Sequence, residues 1–290
     1  MSRIYDALRR AESLRQGHQV ARGAPRPFRV VTVTSNKGGV GKTTFALNLA
    51  VYLRAMREDL PILLVGLDEQ DTVQRMLALG EDSPHANVVS GLRRGTFEST
   101  VRLGQYGVHY VPSSRQVSLL KSEVRTLWQL DETLRRTAFS GLVILDTKSD
   151  LEILTQNAVA ASDLTVVLVK DLASLREADH LYALTDSWGR PRERTQVLLS
   201  LVDLRVKYAE GEPDILALLL AGLRERGYAH FPTFISRSRA IEALYTNPAG
   251  RTLTILHGAP RSRVHRQMHA LAGDVLATLD RLGPQQGDVG

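Results

Sequence analysis

Residues 34–44 read Thr-Ser-Asn-Lys-Gly-Gly-Val-Gly-Lys-Thr-Thr. Three glycines within four positions let the backbone fold so that successive N–H groups converge on one centre, the requirement for holding a polyphosphate. Lys42 then reaches the β- and γ-phosphates, and the Thr43 hydroxyl is available to Mg²⁺. Gly38, Gly39, Val40, Gly41, Lys42, Thr43 and Thr44 are therefore the expected nucleotide-binding residues, with Lys37 directly before them. The strict spacing G-x-x-x-x-G-K-[ST] fails at its first position, which is Asn36.

Two carboxylates belong to the same chemistry. Pro61–Asp68 and Leu142–Asp146 are apolar runs that each end in an aspartate. A buried parallel strand places its last residue at the carboxyl edge of the sheet, where the glycine-rich turn must also lie. Asp68 and Asp146 are thus expected to face the phosphates.

The elements that position these groups follow from the pattern. An apolar strand at 28–34 leads through the turn into a helix over 43–56. Further strands are expected at 61–68, 142–146, 164–169, 196–201 and 231–235, with a hairpin-like pair at 101–103 and 108–111. Helices are expected near 71–79, 115–136, 151–160, 173–187, 213–226 and 261–281. Strands alternating with helices predict an α/β fold, a mostly parallel sheet covered by helices on both faces. The domain plan is a basic amphipathic helix and linker over 1–27, a phosphate-loop domain over 28–282 and a loose tail over 283–290.

The chain has 290 residues, 43% of them hydrophobic, and no cysteine, so neither a disulfide framework nor a thiolate metal site is available. No apolar run reaches the length of a membrane span, and a cytoplasmic location is expected. The net charge of +6 is concentrated at two places. Residues 1–30 carry seven arginines against Asp6 and Glu12, and residues 237–266 carry six against Glu242. Such zones suit a polyanion such as DNA or an anionic surface; a solvated basic face explains them equally.

The loop, with Thr43-Thr44-Phe45-Ala46-Leu47-Asn48-Leu49-Ala50 after it, resembles the ParA/MinD family of dimerising ATPases. The likeness continues through residues 64–70, 154–163, 198–205 and 234–243, and favours the partition-type ParA branch. It implies ATP and Mg²⁺ as cofactors and a homodimer closed around ATP. It also implies non-specific DNA as a partner, an activating partner protein, slow hydrolysis and association with the nucleoid when ATP is bound. On the same ground Lys37 crosses to the partner copy's phosphates, Asp68 orients the attacking water, and Asp146 holds Mg²⁺ with Thr43. Lys37, Lys42 and Asp68 become the catalytic set, and Arg205, Arg237 and Arg239 the DNA-binding set. No membrane attachment is expected, because the tail lacks the amphipathic helix that closes MinD-like chains.

The sequence departs from that family at three places. Gly66 stands where the first Asp of Asp-x-Asp is usual, Glu69 replaces a proline, and Lys148-Ser149-Asp150 replaces Pro-Pro-Ser. Thr147-Lys148-Ser149-Asp150 also fits the guanine-reading pattern [NT]KxD, which leaves GTP as an alternative nucleotide. Residues 2–12 resemble the opening of ATPases and tyrosine autokinases tied to exopolysaccharide export. That likeness implies the alternative function, a regulatory or interaction ATPase of polysaccharide or secretion machinery that does not bind DNA.

Overall fold

The computed structural model describes residues 26–80, 83, 85–206, 214–245 and 254–283. The expected N-terminal helix and the expected tail beyond Gly283 lie outside them. The sheet has seven strands, in order β3-β4-β2-β5-β1-β6-β7. These are β1 (Phe28–Thr34), β2 (Ile62–Gly66), β3 (Arg102–Leu103), β4 (His109–Val111), β5 (Gly141–Asp146), β6 (Leu164–Val169) and β7 (Thr195–Leu199). All neighbours pair in parallel except the short edge strand β3, which runs antiparallel to β4.

The central strands β1, β2, β5 and β6 are buried along almost their whole length. Continuous Val, Ile and Leu runs are what a parallel sheet covered on both faces demands. The chain leaves β1 toward β2 on one side and later fills β6 and β7 on the other. The loop after β1 therefore stands where the strand order reverses, the place at which open α/β sheets take ligands.

Helix α1 (Lys42–Met56) packs on one face, where Leu49, Leu53 and Tyr52 meet Val31, Leu64 and Ile144. A long closing helix, Arg263–Leu282, lies beside it and adds Met268, Leu271 and Val275 to the same core. The opposite face is covered by helices at Val88–Arg94, Gln129–Arg135 and Ile153–Ala161. Their Leu92, Leu130 and Leu134 close over Val30, Val65 and Val143. Helices Leu172–Ser187 and Ile215–Arg226 finish the β7 edge.

Two expected elements differ. The helical pattern over 115–136 breaks into short pieces at 117–119, 120–123 and 129–135. Asn157, from a neighbouring helix, takes over the backbone there: its Nδ2 donates to the Thr126 carbonyl and its Oδ1 accepts from the Leu130 N–H. The expected strand at 231–235 runs beside β7 without becoming a strand. It makes isolated bridges at Val197–His230 and Val202–Ser236, and Pro232 between them has no N–H to give a ladder.

At the amino edge of the sheet Arg26, read from sequence as linker, is tied into the fold. Its guanidinium donates to Asp131 and Asp163, both at 2.8 Å, and to the Ala161 carbonyl. Asp163 is fully buried and also accepts from the Val30 N–H. Arg29 from β1 reaches the carbonyls of Leu279 and Gly283 at the end of the closing helix.

Candidate nucleotide site

Gly41 adopts φ +88°, a left-handed conformation that side chains resist, and caps α1 with no side chain of its own. The first N–H groups of α1 are thereby left for an anion, as the sequence predicts. The approach is close as well: a Cβ on Gly41 would come within 3.1 Å of Leu201 Cδ1. Leu201 itself holds φ +54° at the end of the β7 loop, and Ser200 Oγ donates to the Val40 carbonyl at 3.1 Å. The β7 loop thus braces the phosphate loop from behind.

Lys42 is buried, and its Nζ donates to Ser149 Oγ. Burial lowers the pKa of its ammonium, opposed by the charges of Asp146, Asp68 and Asp150. Asp146 ends β5 at 1% exposure. Burial pushes its carboxyl up to about 7, against a hydrogen bond from Thr43 and the charge of Lys42. Among the described residues its Oδ1 has no hydrogen-bond partner. A buried carboxylate oxygen with nothing to accept from, beside a threonine hydroxyl and a lysine, fits a hydrated divalent cation. Among the described residues no group of three or more His, Cys, Asp or Glu forms a cage, so such a cation would depend on phosphate oxygens for the remainder of its shell.

Asp68 follows β2 on the same edge, and its Oδ1 accepts from the Glu69 N–H at 2.6 Å. The departure at Gly66 has a packing cause. A Cβ there would stand 3.1 Å from Ser113 Cβ and 3.2 Å from Val73 Cγ2, so the space for a first aspartate is already filled. Lys37 lies on the rim with its ammonium on Asp171, 2.8 and 2.9 Å from the two carboxylate oxygens. Burial would raise Asp171, but Lys37 and the Ser174 N–H and hydroxyl hold it below the ordinary carboxylate range.

Asp171 escaped the sequence reading, and Ser149 entered it only as part of a departure from the family pattern and of the guanine-pattern match. Asp171 had a local signal: Asp171-x-x-Ser174 after an apolar strand is a capping box, and both halves form here at the start of the 172–187 helix. Ser149 carried no signal beyond its place after Asp146. The guanine-pattern segment sits at the phosphate end, with Ser149 on Lys42, Lys148 Nζ 2.8 Å from Glu69 Oε1, and Asp150 accepting from the Thr155 hydroxyl. Burial alone would lower the Lys148 pKa; Glu69, with Asp150 and Asp68 behind it, more than reverses this.

Beside the loop opens a cavity of about 590 Å³, bounded by Gly39, Thr44, Lys170, Leu201 and Arg237 among others. No residue of the 147–150 segment lines it. Arg237 is exposed and pairs with Glu242 at 2.9 Å and with Asp203 at 3.6 Å. Arg205 is paired with Asp203 at 2.7 Å. Arg239 is exposed and, among the described residues, has no acidic partner.

The family profile described as an AAA domain matches residues 28–185. The chromosome-partitioning ATPase Soj of Thermus thermophilus is 30% identical over 253 residues, covering 86% of this chain and 96% of that protein. The chromosome partitioning protein ParA of Caulobacter vibrioides is 29% identical over 150 residues, covering 49% of this chain and 55% of its own length. Among solved structures, a plasmid partition protein of Borrelia burgdorferi bound to AMPPNP superposes with a TM-score of 0.66 at 17% identity, covering 87% of this chain and 99% of that one. That last likeness concerns the fold. The profile over more than half the sequence, together with the length shared with Soj, shows that this chain belongs to the ParA/MinD-type P-loop ATPases.

Proposed function

We propose that the chain is a Mg²⁺-dependent ATPase that dimerises around ATP, binds DNA without sequence preference and positions or partitions a cargo, with a partner protein stimulating hydrolysis. The observation that carries this reading is the juxtaposition, at the bare start of α1, of the buried Lys42 with Asp146, whose Oδ1 has no partner among the described residues and whose carboxyl accepts a hydrogen bond from Thr43. Lys42 and the loop N–H groups hold the β- and γ-phosphates. Thr43 and Asp146 would hold Mg²⁺, which neutralises charge on the phosphate oxygens when bound. Asp68 orients the water that attacks the γ-phosphorus. Lys37, released from Asp171, reaches the partner copy's phosphates and stabilises charge that grows there in the transition state. The names of Soj and ParA support the partitioning role, and a cytoplasmic, nucleoid-associated location follows from it.

Equilibrium binding of a fluorescent ATP analogue with and without Mg²⁺, followed by light scattering, tests the core of this reading. Mg²⁺-dependent binding and a doubling of mass are expected. Absence of either overturns it.

A second reading, a regulatory or interaction ATPase that does not bind DNA, draws support from the neutralisation of Arg205 and Arg237 by Asp203 and Glu242. Retention of the ATP-bound protein on DNA as salt is raised separates the two.

A further inference from the structure

Two of the three departures from the family pattern meet in space. Glu69 lies on the turn after β2 and Lys148 on the turn after β5, 79 residues apart in sequence, with Lys148 Nζ 2.8 Å from Glu69 Oε1. Their side chains are 37% and 23% exposed, so the pair is half-shielded from solvent. We propose that Glu69 and Lys148 form a latch between the two loops that positions Asp68 for the hydrolytic step, without contributing to nucleotide affinity. This rests on the reading of Asp68 as the residue that orients water.

The case is one of connectivity. Strands β2 and β5 pair as far as Gly66–Asp146, and the Leu67 N–H then bonds the Asp146 carbonyl at 2.8 Å. No further backbone bond joins 68–70 to 147–150; past that point the ion pair is the direct tie between the two turns, and Glu69 is held in addition by a hydrogen bond from Ser118. On one side of it the Glu69 N–H holds Asp68 Oδ1. On the other, Thr147 is fixed to the Val33 carbonyl and Ser149 to Lys42. A continuous series of contacts thus runs from the phosphate-binding lysine through Ser149, Lys148 and Glu69 to Asp68.

Charge gives the two residues different weights. Lys148 is within the influence of Glu69, Asp150 and Asp68. If the Glu69 charge is removed, the ammonium is free to engage Asp68 and withdraw it from water. If Lys148 is removed, the loop only loosens. The glutamate therefore matters more than the lysine, and loss of the lysine should relieve loss of the glutamate.

The test uses the full chain in single-turnover ATP hydrolysis at saturating ATP and Mg²⁺, with fluorescent-analogue binding measured in parallel. Glu69→Gln should slow the step about tenfold and Lys148→Met about threefold, the scale of a partly shielded ion pair acting on a positioned group. The double variant should match Lys148→Met alone, and every Kd should stay within about twofold of wild type. Effects that multiply, or Kd changes as large as the rate changes, overturn the latch. A wild type that binds ATP but does not hydrolyse it defeats the hydrolytic reading instead. Amide hydrogen exchange over 67–71 then decides the latch: faster exchange in Lys148→Met supports it, and unchanged exchange overturns it.

Discussion

Both oxygens of the Asp171 carboxylate engage the Lys37 ammonium, at 2.8 and 2.9 Å, so the lysine assigned to a partner copy's phosphates is already paired within its own subunit. On the proposed reading of Lys37, closure of a dimer would have to break that pair first. Asp171→Asn removes the charge while keeping an oxygen for the Ser174 N–H. Because both groups are about one-third exposed, solvent screens the pair, and release is worth at most about 1 kcal/mol. The midpoint of ATP-driven dimerisation should fall roughly two- to fivefold in concentration, as read by light scattering; an unchanged midpoint would show that Asp171 does not restrain Lys37.

Lys42→Ala removes the one mobile cation buried at the loop. Binding of ATP should weaken by at least about a hundredfold, on the scale of a desolvated charge-assisted contact. The fold should survive, since the aliphatic stem is the only packing lost. Calorimetric titration checks the first point and far-UV circular dichroism the second.

Asp146 predicts a pH dependence of the nucleotide-free protein. Its carboxyl is raised to about 7 in the fold, so the folded state holds a proton that the unfolded chain has already released. Stability from this group is therefore lost as pH rises from the unfolded value toward 7, and the cost is complete above it. Asp146→Asn should raise Tm at pH 8, by an amount that shrinks as pH falls toward 5, while abolishing Mg²⁺-dependent binding. A Tm gain independent of pH would contradict the assignment.

If DNA is a partner, Arg239 should dominate over Arg205 and Arg237, whose charges are met by Asp203 and Glu242. Arg239→Ala in the ATP dimer removes two contacts, and the slope of log K against log salt should flatten by about two units. Arg205→Ala should change it little. A chain starting at Arg26 is run alongside, to separate the contribution of the arginine-rich N-terminal segment.

That starting residue matters for stability. Arg26 pairs with Asp131 and with the fully buried Asp163, and its loss leaves that carboxylate to Arg29, 3.5 Å away, and the Val30 N–H. Arg26→Ala should cost about 2 kcal/mol, below the cost of an uncompensated buried charge because Arg29 remains, a fall of roughly 4–8 °C in Tm for a domain of this size. Thermal denaturation followed by circular dichroism measures it.

The phosphate loop, the parallel sheet and the strand-end positions of Asp68 and Asp146 were legible because each is written locally: glycine spacing in one case, unbroken apolar runs ending in a carboxylate in the others. Lys37–Asp171 and Lys148–Glu69 were not, because their partners are distant in sequence and meet only when strand ends are brought to one edge. The break near 124–128 was hidden for a similar reason, since Asn157 satisfies backbone groups that a continuous helix would have used. The guanine pattern is the converse case, since its place directly after the Asp146 strand already spoke against a base-reading role. Four residues fit a motif whose chemistry their position in the fold does not serve.

Arg29 carries a last consequence. By holding the carbonyl of Gly283 at 2.6 Å, it brings the two extremities of the described body together, at the edge of the sheet opposite the glycine-rich turn. Fluorescent proteins, surface tethers or affinity handles joined directly to Arg26 or Gly283 in a chain trimmed to 26–283 would attach on the side away from the glycine-rich turn. If the proposed dimer forms, a chain immobilised in this way would leave its Lys37 face open to a second copy in solution, and subunit exchange could be followed one molecule at a time.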